Sequence, residues 1–511
     1  MEMEVGCVIV VILAGVGTMM LVLHLYSSLW WRPEKLRRAL GRQGITGPRP
    51  SFLLGNIREM KTSSSSKPAA LPPGADVAHD YSSTFFPYFN RWRNIYGPVY
   101  MFTIVNNVSL YISDPSLVKE MCLNKSLAIG KTSFSNRSFH ALFGKGIIQA
   151  SGHAWAVQRK IIAPEFFMDK VKGLMNLIER SSRKLLESWE DRLEQGGGIA
   201  DMNVDKDFQS FSADVLSRAC FGSDYSKGEE IFSKITTLQV SLPMQSFISR
   251  LPGSDYLPTK TNRTIWRLVS DIRSSILKVV EQRNKEENES KDLLQSIIKN
   301  AAEAGADESF VVDNCKNIYF AGQETISTAA KWALVLLATN QEWQTRARRE
   351  VMEVCGARMP SSEELTKMTL LTQVIQETLR LYPAAPFLAR QVHEDMKLGH
   401  LHLPKGTAFW IPLLSFHHDP ELWGPDAHRF NPDRFARGVS GACKHPHMYM
   451  PFGTGPRTCL GQNLAMVELK IVLASILARY RVSPSPNYCH SVNLGVVMGP
   501  KYGVNLVIER V

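Results

Sequence analysis

Ten residues near the end of the chain, FGTGPRTCLG at 452–461, gather features that suit chemistry at a single sulfur. Cys459 stands among three glycines, Phe452 and Arg457, and none of the other seven cysteines has such neighbours. Gly455 and Gly461 predict a backbone that turns sharply and then lets something flat approach, because only glycine leaves that space. Arg457, two residues from the sulfur, can favour thiolate over thiol and can also pair with an anionic group. Phe452 offers an apolar lid that limits solvent at the sulfur and tunes its redox behaviour. Helical pattern from Gln462 onward puts the cysteine just ahead of a helix N-terminus, where the dipole also stabilises negative charge. Together these suit one thiolate ligand to a planar metal cofactor. A lone cysteine would instead pack as a small hydrophobe, and a zinc site here lacks partner ligands at suitable spacing.

At this spacing Phe452, Gly455, Arg457, Cys459 and Gly461 resemble the haem-binding loop of the cytochrome P-450 monooxygenases, with every family position filled. The resemblance implies that Cys459 is the proximal ligand of a haem b iron. Three further motifs follow the family's pattern. ETLR sets Glu377 and Arg380 at i and i+3 on one helix face, where the charges can pair. In the family that pair meets an arginine from a later loop; FNPDRF supplies Arg434, preceded by Asp433 where the family usually has Glu. The implied role is structural, holding the haem loop. AGQET, 321–325, lies midway along the longest helical pattern. Gly322 costs about 1 kcal/mol of helix propensity relative to alanine, and Glu324 and Thr325 are polar in an apolar run, a local conflict of the kind functional sites carry. The resemblance implies an oxygen-binding kink over the distal haem face, with Thr325 hydrogen-bonding dioxygen and Glu324 delivering protons. Retention of Thr325 favours monooxygenation over peroxide rearrangement. HAWAVQRK places Trp155 and Arg159 at i and i+4, and the resemblance implies that they meet a haem propionate, with Arg390 and Arg457 as further propionate candidates.

The elements that must position these residues begin with an apolar run. Residues 5–26 are apolar apart from Thr18 and His24, enough at about 1.5 Å per residue to span a hydrocarbon core of roughly 30 Å. Trp30 and Trp31 stand where an aromatic belt would sit, followed by Arg32, Lys35, Arg37, Arg38 and Arg42. The positive-inside asymmetry puts the N-terminus in the lumen and the rest in the cytosol. The expected organisation is a single-pass endoplasmic reticulum anchor over 1–30, a basic, proline-rich hinge and polar loop over 31–75, and a haem-thiolate monooxygenase domain over 76–511. Two short strands joined at Asn106-Asn107 are expected in GPVYMFTIVNNVSLYISDP. A helix lined by Val171, Ile178, Leu185 and Trp189 should end at the triple glycine 196–198, and a long helix should run from about Ser309 to Thr339. Ser361 and Glu364 in capping-box spacing open a third helix, which stops at Tyr382-Pro383. Strand character returns in MKLGHLHLPKGTAFWIPL, with Pro404, Lys405 and Gly406 as its turn. The fold class is mainly α with small β-sheets, the cytochrome P-450 fold preceded by one N-terminal transmembrane helix.

Composition bounds the partners. At 511 residues, 44% hydrophobic and 21% charged, the chain is globular and has a net charge of +11. The basic excess favours acidic partners or anionic lipid; without zinc-finger spacing or an aromatic RNA-binding signature, no nucleic acid is expected. The eight cysteines are scattered, with no Cys-x-x-Cys pair, which suits a reducing compartment. No GxGxxG follows a strand, so electrons are expected from NADPH through a separate FAD/FMN cytochrome P-450 reductase, with cytochrome b5 as an optional second donor. Several stretches, among them IIAPEFFMDKVKGLM, ACFGSDYSKGEEIFSKI and VSGACKHPHMYMPFGTGPRTCLG, look like the plant family that oxidises gibberellins. That implies a rigid diterpenoid acid as substrate beside O2, oxidised by 13-hydroxylation or by 16,17-epoxidation; another plant terpenoid or steroid hormone is the alternative. Phe387, Leu388, Val497 and Met498 are pocket candidates. A haem-thiolate isomerase or a haem sensor would share Cys459 but consume no NADPH with substrate.

Overall fold

Away from water only internal hydrogen bonds satisfy an apolar backbone, so the N-terminal run has little choice but helix. In the computed structural model, which describes residues 2–63, 77–221, 225–242, 256–285 and 292–511, helix α1 covers Glu2–Tyr26, about 37 Å at 1.5 Å per residue. Its side chains from Ile12 onward are exposed, and the run is long and apolar enough to cross a membrane. The helix does not stop where the apolar residues end. One π-turn, Ser27–Trp31, leads into α2, Arg32–Gly41, whose Leu40 is buried.

The chain forms two compact units, and Met1–Lys67, Tyr81–Thr132 and Phe387–Pro412 make the first. Its sheet contains β1 (Val99–Ile104), β2 (Asn107–Ile112), β3 (Ile129–Gly130), β4 (Leu388–Val392) and β5 (Ala408–Ile411), in the order β1-β2-β5-β4-β3. Only the β2–β5 pairing is parallel. α2 docks on this sheet: Arg37 Nη1 donates to Thr103 Oγ1 at 3.0 Å, and Asn106 Nδ2 to the Ser28 carbonyl at 3.3 Å. The expected hinge therefore begins as a docked helix. Its polar stretch 64–75 lies outside the described residues.

One of the two expected turns in this unit shifts. Ile104 pairs with Asn107, so Val105 and Asn106 make the first turn, with Val105 in the left-handed region at φ 57°. That register sets Tyr100 opposite Tyr111, their rings stacked 4.7 Å apart in a cluster with Phe89, Trp92 and Phe102. A slip by one residue would turn those rings to the other face. Met396–Leu398 and Leu401–Leu403 pair as their own hairpin around Gly399 and His400; the expected turn at Pro404, Lys405 and Gly406 follows, closed by the Thr407 amide donating to the Pro404 carbonyl at 3.1 Å, and leads into β5.

The second unit is helical. Its main elements are α3 (Gly152–Ile162), α4 (Met175–Gln195), α5 (Asp205–Phe221), α6 (Glu308–Thr339), α7 (Thr369–Leu381) and α8 (Gln462–Leu477). α4 stops at the triple glycine as its sequence predicts. α6 opens with the Asp307 side chain accepting from the Phe310 amide at 3.0 Å, and it is buried along most of its 32 residues. The Ser361–Glu364 capping box is present, but it opens the short helix Ser362–Lys367. Met368 then leaves helical geometry and α7 starts afresh, so the expected third helix is two. Ile199–Asn203, Asn505–Arg510 and Tyr480–Pro484 form a three-stranded sheet, and Val492–Leu494 pairs with Met498–Pro500.

Candidate active site

The loop carrying Cys459 closes on itself and is then tied to α3. Gly453 and Gly455 take φ of 72° and 66°, the left-handed geometry glycine adopts cheaply. The Cys459 amide donates to the Phe452 carbonyl at 2.8 Å. Arg457 Nη1 reaches the Ala150 carbonyl at 2.9 Å, and Arg159 Nη1 on α3 reaches the Thr458 carbonyl at 2.8 Å. α3 is in turn placed by α6. Asp313, Asn314 and Asn317 accept from the amides of Lys145, Ile147 and Ile148 at 2.8, 2.9 and 2.9 Å, which fixes the chain just ahead of α3.

Trp155 meets two cations: Arg457 stacks over its ring at 4.4 Å and Arg159 at 5.7 Å. Arg159 makes no ion pair among the described residues. Cys459 is exposed at the loop's tip, yet enough protein surrounds it that burial pushes its thiol up, against the Gly461 backbone hydrogen bond and the charge of Arg159. The cation acting on the sulfur is therefore Arg159, where the sequence alone had pointed to Arg457. A thiol in this state sheds its proton on coordinating a metal.

A flat dianionic macrocycle with a central metal needs one soft ligand, room over the backbone and cations for its carboxylates. The residues fit. A Cβ built on Gly461 meets no protein atom within 4 Å, so the glycine leaves open space in the loop that carries Cys459. In the first unit Arg390, on β4, is buried; burial lowers its pKa to about 10, and no carboxylate pairs with it among the described residues. Phe452 is half-buried in the Cys459 loop.

Glu324 and Thr325 sit together on α6, which stays helical throughout 321–325. Thr325 Oγ1 donates to the Ala321 carbonyl at 2.6 Å, and Ser212 Oγ on α5 lies 3.0 Å from the Gln323 carbonyl. Hydroxyl bonding of this kind bends a helix without breaking it. Gly322 has a packing reason the sequence concealed: a Cβ there would lie 2.5 Å from Leu216 Cδ1 on α5. Burial raises the Glu324 carboxyl, opposed by the Lys331 charge and a hydrogen bond from Gln239. Ser212 and Gln239 carry no motif, and only the fold brings them to this site, whereas Lys331 stands two turns further along α6.

The Glu377–Arg380 pair is fully buried, with Arg380 Nε and Nη2 donating to the two carboxylate oxygens at 2.7 and 2.8 Å. Arg434 completes the node at 3.6 Å from Glu377. Asp433 takes no part and pairs on the surface with Arg346 at 2.9 Å. Two pocket candidates make interior contacts. Met498 is buried, its amide donating to the Ala384 carbonyl and its carbonyl accepting from Trp332 Nε1. Phe387 packs 4.6 Å from Phe86 in the aromatic cluster. Val497 is also buried, and Leu388 is half-buried at the start of β4.

The model of the Cytochrome P450 family matches residues 77–504. The chain is 48% identical over 497 residues to Cytochrome P450 714C2 of Oryza sativa subsp. japonica, covering 95% of each protein. It is 42% identical over 530 residues to Cytochrome P450 714B2 of the same organism, covering 100% of this chain and 99% of the relative. Cytochrome P450 714A2 of Arabidopsis thaliana is 38% identical over 515 residues, covering 98% of this chain and 97% of the relative.

Proposed function

Because the chain belongs to the cytochrome P450 family, we propose that it inserts one atom of O2 into a gibberellin-type diterpenoid acid, with 13-hydroxylation as the first reading. The second outcome is 16,17-epoxidation, or oxidation of another plant terpenoid or steroid hormone. The family makes the protein a haem-iron monooxygenase fed by a redox-partner reductase. The observation that carries the site assignment is the Cys459 loop pinned to α3 by Arg457 and Arg159, with Trp155 meeting both guanidiniums. The gibberellin reading rests on the sequence stretches outside the motifs and on full-length similarity to the 714 relatives.

A bound haem would supply activation of O2 at a thiolate-held iron. The chain's residues would do the rest. Cys459 is the ligand, and Gly461 gives the macrocycle its approach. Arg159, Arg457 and Arg390 match propionate charge, while Trp155 fixes the first two in place. Phe452 shields the sulfur. Across the site, the Thr325 hydroxyl, held by the Ala321 carbonyl in this structure, turns to donate toward the reacting oxygen. Glu324, whose pKa burial raises, passes it protons. Electrons would come from NADPH through a separate FAD/FMN reductase, with cytochrome b5 as second donor; the +11 charge suits an acidic partner. Residues 1–30 would anchor the chain once in the endoplasmic reticulum membrane, with residues 76–511 as the catalytic domain in the cytosol.

The test uses microsomes carrying this chain and a plant reductase, given NADPH and a gibberellin panel. Products are identified by mass spectrometry and NMR. A hydroxylated product with its exocyclic alkene intact supports 13-hydroxylation, and loss of that alkene moves the assignment to epoxidation. No product beside a full haem-thiolate band and active reductase removes the gibberellin reading and leaves the family assignment standing.

A further inference from the structure

Two histidines and an aspartate outside the Cys459 site come together in the second unit. One ligand-capable atom from each of Asp80, His418 and His428 lies within 4.8 Å of the other two. They arrive from three separate segments: the end of the second unit's first stretch at Asp80, the end of the short helix Leu413–His417, and the loop ahead of Arg434. Backbone contacts hold the segments in place. The His79 amide donates to the His428 carbonyl at 3.0 Å, which fixes Asp80 beside that loop. Arg380 Nη1 donates to the carbonyls of His417 and Ala427, the residues immediately before the two histidines. One buried guanidinium therefore positions both imidazoles.

The donor chemistry is that of a metal ligand set. His418 Nε2 lies 3.0 Å from the Leu381 carbonyl oxygen; a carbonyl only accepts, so this nitrogen carries the proton and Nδ1 keeps the lone pair. A histidine that ligates a metal through one nitrogen commonly has the other held by a backbone carbonyl in this way. Nδ1 of His428 is buried and has no hydrogen-bond partner among the described residues. The rings of His418 and His428 meet edge to face, 6.2 Å between centroids. Arg380 would repel a cation, but Glu377 matches its charge through two hydrogen bonds, and Arg429 is exposed to solvent.

We propose that Asp80, His418 and His428 form a structural Zn2+ site, with water as the fourth ligand, that ties the Asp80 segment to the loop carrying Arg434. Bonds of about 2.1 Å put tetrahedral donors roughly 3.4 Å apart, so the side chains must close by at most about 1.5 Å. Nitrogen and carboxylate donors in a partly buried place suit Zn2+, and the ion would brace the segments that Arg380 holds.

The experiment uses untagged full-length chain in detergent, loaded with haem, equilibrated with micromolar Zn2+ and desalted. Zinc and iron are counted together by plasma mass spectrometry. About one zinc per haem iron is expected, with Tm raised by roughly 2 to 3 °C at a hundredfold excess over Kd. Asp80→Asn and His428→Gln, each keeping the haem-thiolate band as proof of folding, should drop to about a tenth of the wild-type zinc and lose the Tm rise. Wild-type zinc below about a tenth per chain overturns the site, as does full zinc retention in both folded variants. If a variant loses the haem band, zinc content and Tm of the wild type alone decide. None of these readings depends on which substrate the enzyme oxidises.

Discussion

Glu377 and Glu324 are both helical carboxylates of the second unit, and their surroundings differ in kind. Glu377 is fully buried and its oxygens meet two Arg380 nitrogens, the Asn431 amide and Arg434. Glu324 is half-buried, with burial lifting its pKa against one distant cation and one amide. A carboxylate whose partners are all built in holds neighbouring segments together. One left short of partners keeps a proton to give. The same residue type is thus suited to architecture in one place and, under the proposed function, to chemistry in the other, and the local count of donors separates the two.

The contrast can be broken at either end. Cys459→Ser should have the largest effect, abolishing turnover and the red-shifted absorption of the reduced carbon monoxide complex; a retained band would remove Cys459 as ligand. Glu377→Ala leaves Arg380 buried without its counter-charge, and we expect a loss of about 3 to 5 kcal/mol, read as a lowered unfolding midpoint with haem loss. Thr325→Ala should keep haem and stability while product per NADPH falls roughly tenfold or more and peroxide rises. An unchanged yield would take Thr325 out of the reaction. Glu324→Gln sharpens the comparison through pH. A carboxyl raised in the folded state contributes stability that is full below the unfolded value and lost as pH climbs through the folded one, and its protonated donor form disappears over the same window. Wild-type coupling should therefore decline as pH rises through that raised value, and the Gln variant should lose this limb of the profile. Asp433→Asn, which breaks only an exposed pair with Arg346, should cost less than about 1 kcal/mol and leave spectra and coupling untouched.

Much of this was readable in the sequence where the signal is local. The α6 pattern, the capping box, the Glu377–Arg380 spacing and the ten-residue loop each lie within one element, so periodicity and spacing suffice. What escaped depends on segments far apart in the chain. Gly322 looked like a weakened helix, but its missing Cβ makes room for Leu216 on another helix. Arg457 looked like the sulfur's cation because it is two residues away, whereas Arg159, three hundred residues earlier, fills that part. The shifted hairpin turn has the same origin: the Tyr100–Tyr111 stack sets the register, and Val105 accepts an unfavourable φ to preserve it.

The uninterrupted passage from α1 through Ser27–Trp31 into α2, with Leu40 buried and Arg37 bonded to the first unit's sheet, makes the membrane segment a mast stepped into that sheet. A slack tether would isolate the sheet from the lipid. A mast hands over its lean, and because a span tilts to match the thickness of the bilayer around it, bilayer thickness would set the attitude of the sheet.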